Sequence, residues 1–188
     1  MIFEILNQRP SQKKMILLLV CGLIGTILSL PIMNHFFELS KYPVSFFESQ
    51  LSFSGQIIKS HFATMSLQEL NYYTIGQLAD YGFIISNALI KFSLAVLLAR
   101  TFSTNSTLRY SGFITAILGI LGSLFDAIEN IFIFLMIGDP TGFNDWLAVI
   151  HSVFALVKYI LTFIVYGWIF IALIFVIKNQ ISSQAEKA

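Results

Sequence analysis

Hydropathy along the chain rises and falls in four long apolar blocks, at about residues 15–33, 81–99, 111–137 and 146–177. A helix needs roughly 20 predominantly apolar residues to cross the hydrocarbon core of a bilayer. Each block is long enough to cross, and the last two exceed the need, which predicts tilt or protrusion. The pattern predicts an all-α protein, a four-helix transmembrane bundle forming one integral membrane domain over residues 1–188. No internal repeat or low-complexity tract interrupts it.

The longest polar interval, 34–80, contains VSFFESQLSFSGQIIKSHFATMSLQELNYYTIGQL. Aromatic and aliphatic residues alternate there with polar ones at irregular helical spacing. This predicts one or two amphipathic helices lying on the outer interface or capping the bundle. Within it, MSLQEL supplies a helix start, with Ser66 as N-cap and Glu69 three residues on completing a capping box. His35 and His61 lack a paired metal-ligand spacing and are expected to be solvated. Tyr42, Tyr72, Tyr73 and Trp146 are expected as aromatic anchors at the outer interface, with Trp168 anchoring the inner one.

Composition agrees with the blocks. The chain is 56% hydrophobic and 11% charged, whereas a soluble domain carries about 25% charged residues. A net charge of +1 without a basic cluster excludes nucleic acid as an expected partner. The partners expected are the lipid bilayer itself, a lipid or amphiphilic small molecule, and a second copy of the chain or another membrane protein. The single cysteine, Cys21, can form no intrachain disulfide. Its context, LLLVCGLIG, suits neither a lipoprotein signal nor a cleaved leader, so the first block is read as a retained helix.

Loop charge orients the bundle. Arg9, Lys13 and Lys14 precede the first block, Arg100 and Arg109 flank the loop between the second and third, and Lys178 follows the fourth. Asp139 and Asp145 lie in the opposite loop. The positive-inside rule therefore expects both termini in the cytoplasm, here of a bacterial inner membrane.

Advancing ~100° per residue around each helix sorts the polar side chains into faces. On the third block Gly112, Thr115, Gly119, Gly122, Ser123, Asp126, Glu129 and Asn130 share one side. Ile117, Leu121, Leu124, Phe125, Ile128 and Phe132 oppose them. Small residues permit close helix approach and large apolar ones suit lipid, so the carboxylates are predicted to point inward. On the second block Asp80, Ile84, Asn87, Lys91 and Ala95 form a stripe, and on the fourth His151, Ala155, Lys158 and Thr162 do. The first block offers only Cys21, Gly22, Gly25, Thr26 and Ser29, the surface of a packing helix.

Counting 1.5 Å per residue from each outer end places Glu129 at ~12 Å, Lys91 at ~15 Å, Asp126 at ~16 Å and Lys158 at ~18 Å. All four fall in one slab, with Asn87, Asn130 and His151 nearby. An ionised side chain at the centre of a spanning helix costs roughly 2.5–3.5 kcal/mol on insertion scales. Four facing lipid would cost on the order of 10 kcal/mol, as much as a whole domain's stability. The two acids are therefore expected to meet the two lysines inside the bundle, their charges cancelling. The plainest alternative is a network that only specifies helix register.

The binding residues expected are Asp126, Glu129, Asn130, Lys91, Asn87, His151 and Lys158. Three functional readings follow: a pocket that binds or modifies a lipid or other amphiphile, proton- or ion-coupled translocation, and an accessory subunit of a membrane complex. In a lipid-modifying enzyme Asp126 or Glu129 would act as acid/base, Lys158 as charge stabiliser and His151 as proton relay. No nucleophile motif, zinc motif or phosphate-binding glycine loop occurs, so no cofactor or metal is expected. Asp126, Glu129 and His151 are the one set that would hold a metal ion.

The segments ELNYYTIGQLADYGFIISNALIKFSLAVLLAR, GSLFDAIENIFIF and ALVKYILTFIVYGWI together span Glu69 to Trp168. They resemble a family of uncharacterised bacterial four-span membrane proteins with an intramembrane D-x-x-E-N motif and a later lysine. That resemblance implies the four-span topology and singles out Asp126, Glu129, Asn130 and Lys158, without naming a reaction. Four-span sterol-isomerase-like proteins also bury acids, for cationic ligands. The likeness to them is architectural, since neither the buried lysines nor the D-x-x-E-N spacing is their pattern.

Overall fold

The computed structural model describes residues 2–185. Its helices are α1 (Ile2–Gln8), α2 (Gln12–Ser40), α3 (Phe46–Gln50), α4 (Gly55–Ala63), α5 (Leu67–Ala99), α6 (Thr107–Ile137) and α7 (Asp145–Ala185), with no strand among the described residues. Four of them, α2, α5, α6 and α7, are long and apolar enough to cross a membrane. The chain is an all-α, four-helix integral membrane protein.

The boundaries shift at the end of the bundle that the sequence expects to face outward. α2 runs through Pro31 to Ser40, and Lys41 closes it in a left-handed conformation, its N–H bonded to the Glu38 carbonyl. α5 begins at Leu67, fourteen residues before the expected start at residue 81. The reason is local. The Ser66 hydroxyl accepts the Glu69 N–H, and the Glu69 carboxylate accepts the Ser66 N–H at 2.8 Å, the reciprocal capping box the sequence announced. The first turns of α5 carry polar residues, so hydropathy hides a helix that capping starts. The outer segment is thereby shortened to 41–66.

α2 lies along α5, α5 along α6 and α6 along α7, with α7 also touching α5. Small residues decide the first of these contacts. A Cβ on Gly22 would sit 2.8 Å from both the Ser86 carbonyl and Ile90 Cγ1, and one on Gly25 would strike Ser86 Oγ. Thr26 and Ser29 are half-buried on the same side, while Cys21 is exposed and is not part of that surface. On α6 the predicted face holds: Gly112, Thr115, Gly119, Gly122, Ser123, Glu129 and Asn130 are buried and Leu121 and Leu124 are exposed.

The same end of the bundle is closed by α3 and α4. Ile58 and Phe62 of α4 join Tyr73, Ile133, Met136, Phe143 and Leu147 in a buried apolar cluster. Polar ties fasten this cap: Lys59 pairs with Asp145 at 2.7 Å, and the Phe53 N–H donates to Ser152 Oγ at 3.1 Å. Tyr73 is not an interface anchor. It is 3% exposed and stacks on Tyr42 with ring centroids 4.9 Å apart. Tyr42 in turn bonds Ser49 Oγ at 2.7 Å and His61 Nδ1 at 3.2 Å, so His61 is half-buried and partnered, not solvated. Burial pushes the Tyr42 phenol up to about 12, and burial also holds His61 below the usual imidazole range. Trp146 and His35 are exposed.

At the opposite end α1 folds back onto the bundle, burying Leu6 against Met15, Val96 and Phe113. Arg100 donates twice to the Leu6 carbonyl, at 3.0 and 2.9 Å, and Arg109 donates to Asn7 Oδ1 at 2.7 Å. Arg100 thus satisfies one of the last carbonyls of α1, which have no helical partner, and Arg109 fastens the Asn7 side chain beside it. Trp168 is a packing residue here, its Nε1 donating to Ser111 Oγ at 2.9 Å and its ring lying over Gly112.

Candidate functional site

Two to three turns from the α3–α4 end of α6, Lys158 of α7 reaches across to Asp126 at 2.7 Å and to Glu129, its second carboxylate partner. The other Glu129 oxygen lies 3.1 Å from His151 Nε2. Asp126 and Glu129 share a helix face three residues apart, and His151 and Lys158 share one seven residues apart, so two straight helices suffice to align all four. The result is a carboxylate–ammonium–carboxylate–imidazole chain. Glu129 is 0%, His151 2% and Lys158 8% exposed.

Asn130 extends the cluster to α5 by donating to Asp80 Oδ2 at 2.7 Å. Asp80 sits on the predicted stripe with Asn87 and Lys91, yet it fell one residue outside the expected span. The signal that identifies it is the stripe, not the hydropathy. With Asp80 the cluster gathers three carboxyl groups around Lys158, in place of the two acids and two lysines expected.

Lys91 departs from expectation in the same register. The Asp80–Asn130 bond sets α5 level with a point seven residues, ~10 Å, below the outer end of α6. Lys91, eleven residues further along, then lies ~16 Å deeper than Asp80. A Cβ on Gly119 would come within 2.8 Å of Lys91 Cβ, which confirms that level. Lys91 therefore meets neither Asp126 nor Glu129 at ion-pair distance. It donates to Thr162 Oγ1 at 3.3 Å and lies 5.8 Å from the Tyr166 ring centroid. Asn87 likewise bonds Tyr166 Oη, at 3.1 Å, and the Phe83 carbonyl, and no carboxylate.

What joins the two levels is a cavity of about 400 Å³ between α2, α5 and α7. Its charged lining is Asp80, Lys91, Asp126 and Lys158, with Asn87, Thr162 and Gln77 between them. Apolar and aromatic walls come from Met33 and Phe37 of α2, Phe83 of α5, and Tyr159 and Tyr166 of α7. Phe46 and Gln50 of α3 form the outer roof, where Tyr159 Oη donates to Gln50 Oε1. Glu129, Asn130 and His151 stand behind this wall. α2 and α7 flank the cavity without packing along one another, so its open side is the slot between these spans. Ser123 Oγ, Asn130 Oδ1 and His151 Nδ1 are buried without hydrogen-bond partners.

Among the described residues no group of three or more His, Cys, Asp and Glu side chains is arranged to hold a metal ion. Asp126 and Glu129 are instead bridged by Lys158, while His151 holds the other Glu129 oxygen. No protein-family model, curated protein or solved structure matches the chain.

Proposed function

We propose that this protein binds or modifies a lipid or other amphiphile in the cavity between α2, α5 and α7. One observation carries the reading: the cavity combines apolar and aromatic walls with four charged side chains, Asp80, Asp126, Lys158 and Lys91, as its polar floor. Ligand pockets of several hundred cubic ångströms, mostly apolar with a few placed polar groups, have this character. An acyl chain suits the slot, and a polar head suits the floor. Two of the residues that the D-x-x-E-N resemblance singles out, Asp126 and Lys158, line this cavity. The charge distribution at the end shared by α1, the loop after α5 and the end of α7 supports a cytoplasmic position for both termini, in a bacterial inner membrane.

Native mass spectrometry of the purified protein tests this. An amphiphile should remain bound to the wild-type chain and be lost from Met33→Trp, which fills the slot from α2 without touching the charges. A wild-type protein that carries no amphiphile after extraction in several mild detergents would sink the proposal.

Proton or ion translocation is the second reading, favoured by the unbroken chain from Asp126 through Lys158 and Glu129 to His151. Proteoliposome flux would then fall sharply in Glu129→Gln. Unchanged flux counts against it.

A further inference from the structure

We propose that the amphiphile is zwitterionic, its ammonium held at Asp80 and its anionic group at Lys91. This rests on the amphiphile reading above and names the head group.

Four charged side chains line the cavity, and two of them, Asp126 and Lys158, already pair at 2.7 Å. The other two have no ion-pair partner among the described residues. Asp80 accepts one amide hydrogen from Asn130. Lys91, only 6% exposed, has a hydroxyl at 3.3 Å and the face of a tyrosine ring. They do not pair with each other: eleven residues of one helix set their backbones ~16 Å apart along the axis. The shorter gap between the Lys91 ammonium at Thr162 and the Asp80 carboxylate at Asn130 is left for a ligand to span. A half-buried carboxylate and a buried ammonium with so little compensation favour incoming opposite charges.

The type of head group follows by elimination. An anionic head would satisfy Lys91 but leave Asp80 unmatched beside Asp126 and Glu129. A cationic head would satisfy the acids and leave Lys91 without an ion-pair partner. A head whose amine and phosphate or carboxylate are a few bonds apart offers both charges. Its amine then lies outward, under the α3 roof, and its anion inward beside Thr162 and Tyr166. The chains leave through the slot past Met33 and Phe83.

The test is retention, by native mass spectrometry, of three dioleoyl amphiphiles presented singly and in competition. They are a phosphatidylethanolamine, a phosphatidylglycerol and a trimethylammonium lipid. The zwitterion should be retained over both others by about tenfold or more. Asp80→Asn should abolish the preference for phosphatidylethanolamine over phosphatidylglycerol. Lys91→Gln should weaken both of those lipids, with Lys91→Arg restoring them. Size-exclusion profiles and helical circular dichroism establish that the variants fold, and if one does not, the wild-type ranking still decides. Equal retention of phosphatidylglycerol by the wild type, or an unchanged preference in folded Asp80→Asn, overturns the head-group assignment and leaves the amphiphile reading intact. Retention of no lipid in any arm overturns both.

Discussion

Lys158 is the residue on which the buried cluster depends. It supplies the ammonium shared by Asp126 and Glu129, while His151 holds the remaining Glu129 oxygen. Removing one member of a buried ion pair typically costs about 3–5 kcal/mol, since it strands an uncompensated charge. Replacing all the charged partners by apolar groups of similar volume costs far less. Lys158→Leu should therefore destabilise the protein by about 3–5 kcal/mol, and Lys158→Leu with Asp126→Leu and Glu129→Leu should recover most of that loss. Denaturation by sodium dodecyl sulfate in bicelles measures both. If the single variant is as stable as wild type, the three groups do not form a coupled network. Asp126, Glu129 and Lys158 were readable from the sequence because their helix faces and depths are set within α6 and α7 alone. The mistake over Lys91 has a different origin: its level depends on how α5 slides against α6, and only a cross-helix bond such as Asp80–Asn130 determines that.

At the level of whole helices, contact distance separates glycines that matter from those that do not. The α2–α5 interface is tight at Gly22, where an added methyl would stand 2.8 Å from a backbone carbonyl that cannot turn aside. Overpacking of this kind costs about 1–3 kcal/mol. Gly167 of α7 has nothing within 4 Å of an added Cβ, and alanine there gains up to ~1 kcal/mol of helix propensity. Gly22→Ala should thus lower the unfolding temperature and Gly167→Ala should leave it unchanged or raise it, as read by fluorescence-detected size exclusion after heating. The reverse order would mean that α2 does not seat on α5 through this face. The same reasoning explains what hydropathy could and could not deliver. It located all four spans, because burial in lipid demands long apolar runs. It missed the first turns of α5, because their side chains are largely polar and exposed and the helix is started by the capping box at Ser66 instead of by an apolar run.

For the molecule as a whole, the two ends of the bundle are chemically unlike. One end gathers α1, Arg100 and Arg109, the arginines being engaged with Leu6 and Asn7. The other is sealed by the aromatic cluster around Tyr42, Phe62 and Tyr73 and tied by Lys59 to Asp145. Neither α1 nor that aromatic core was legible beforehand, since seven residues and a scatter of tyrosines carry no periodic signal until long-range packing assembles them. The asymmetry nevertheless gives orientation a direct test, because the membrane distinguishes the ends. In a Cys21→Ser background, Asn105→Cys places a thiol on the exposed loop after α5, and Gln56→Cys places one on the exposed side of α4. With the basic end in the cytoplasm, a membrane-impermeant maleimide applied to intact spheroplasts should label position 56 and spare position 105 until the membrane is permeabilised. Labelling of position 105 first would invert the protein. The α3 roof would then face the cytoplasm, and any amphiphile reaching Asp80 beneath it would come from the inner leaflet.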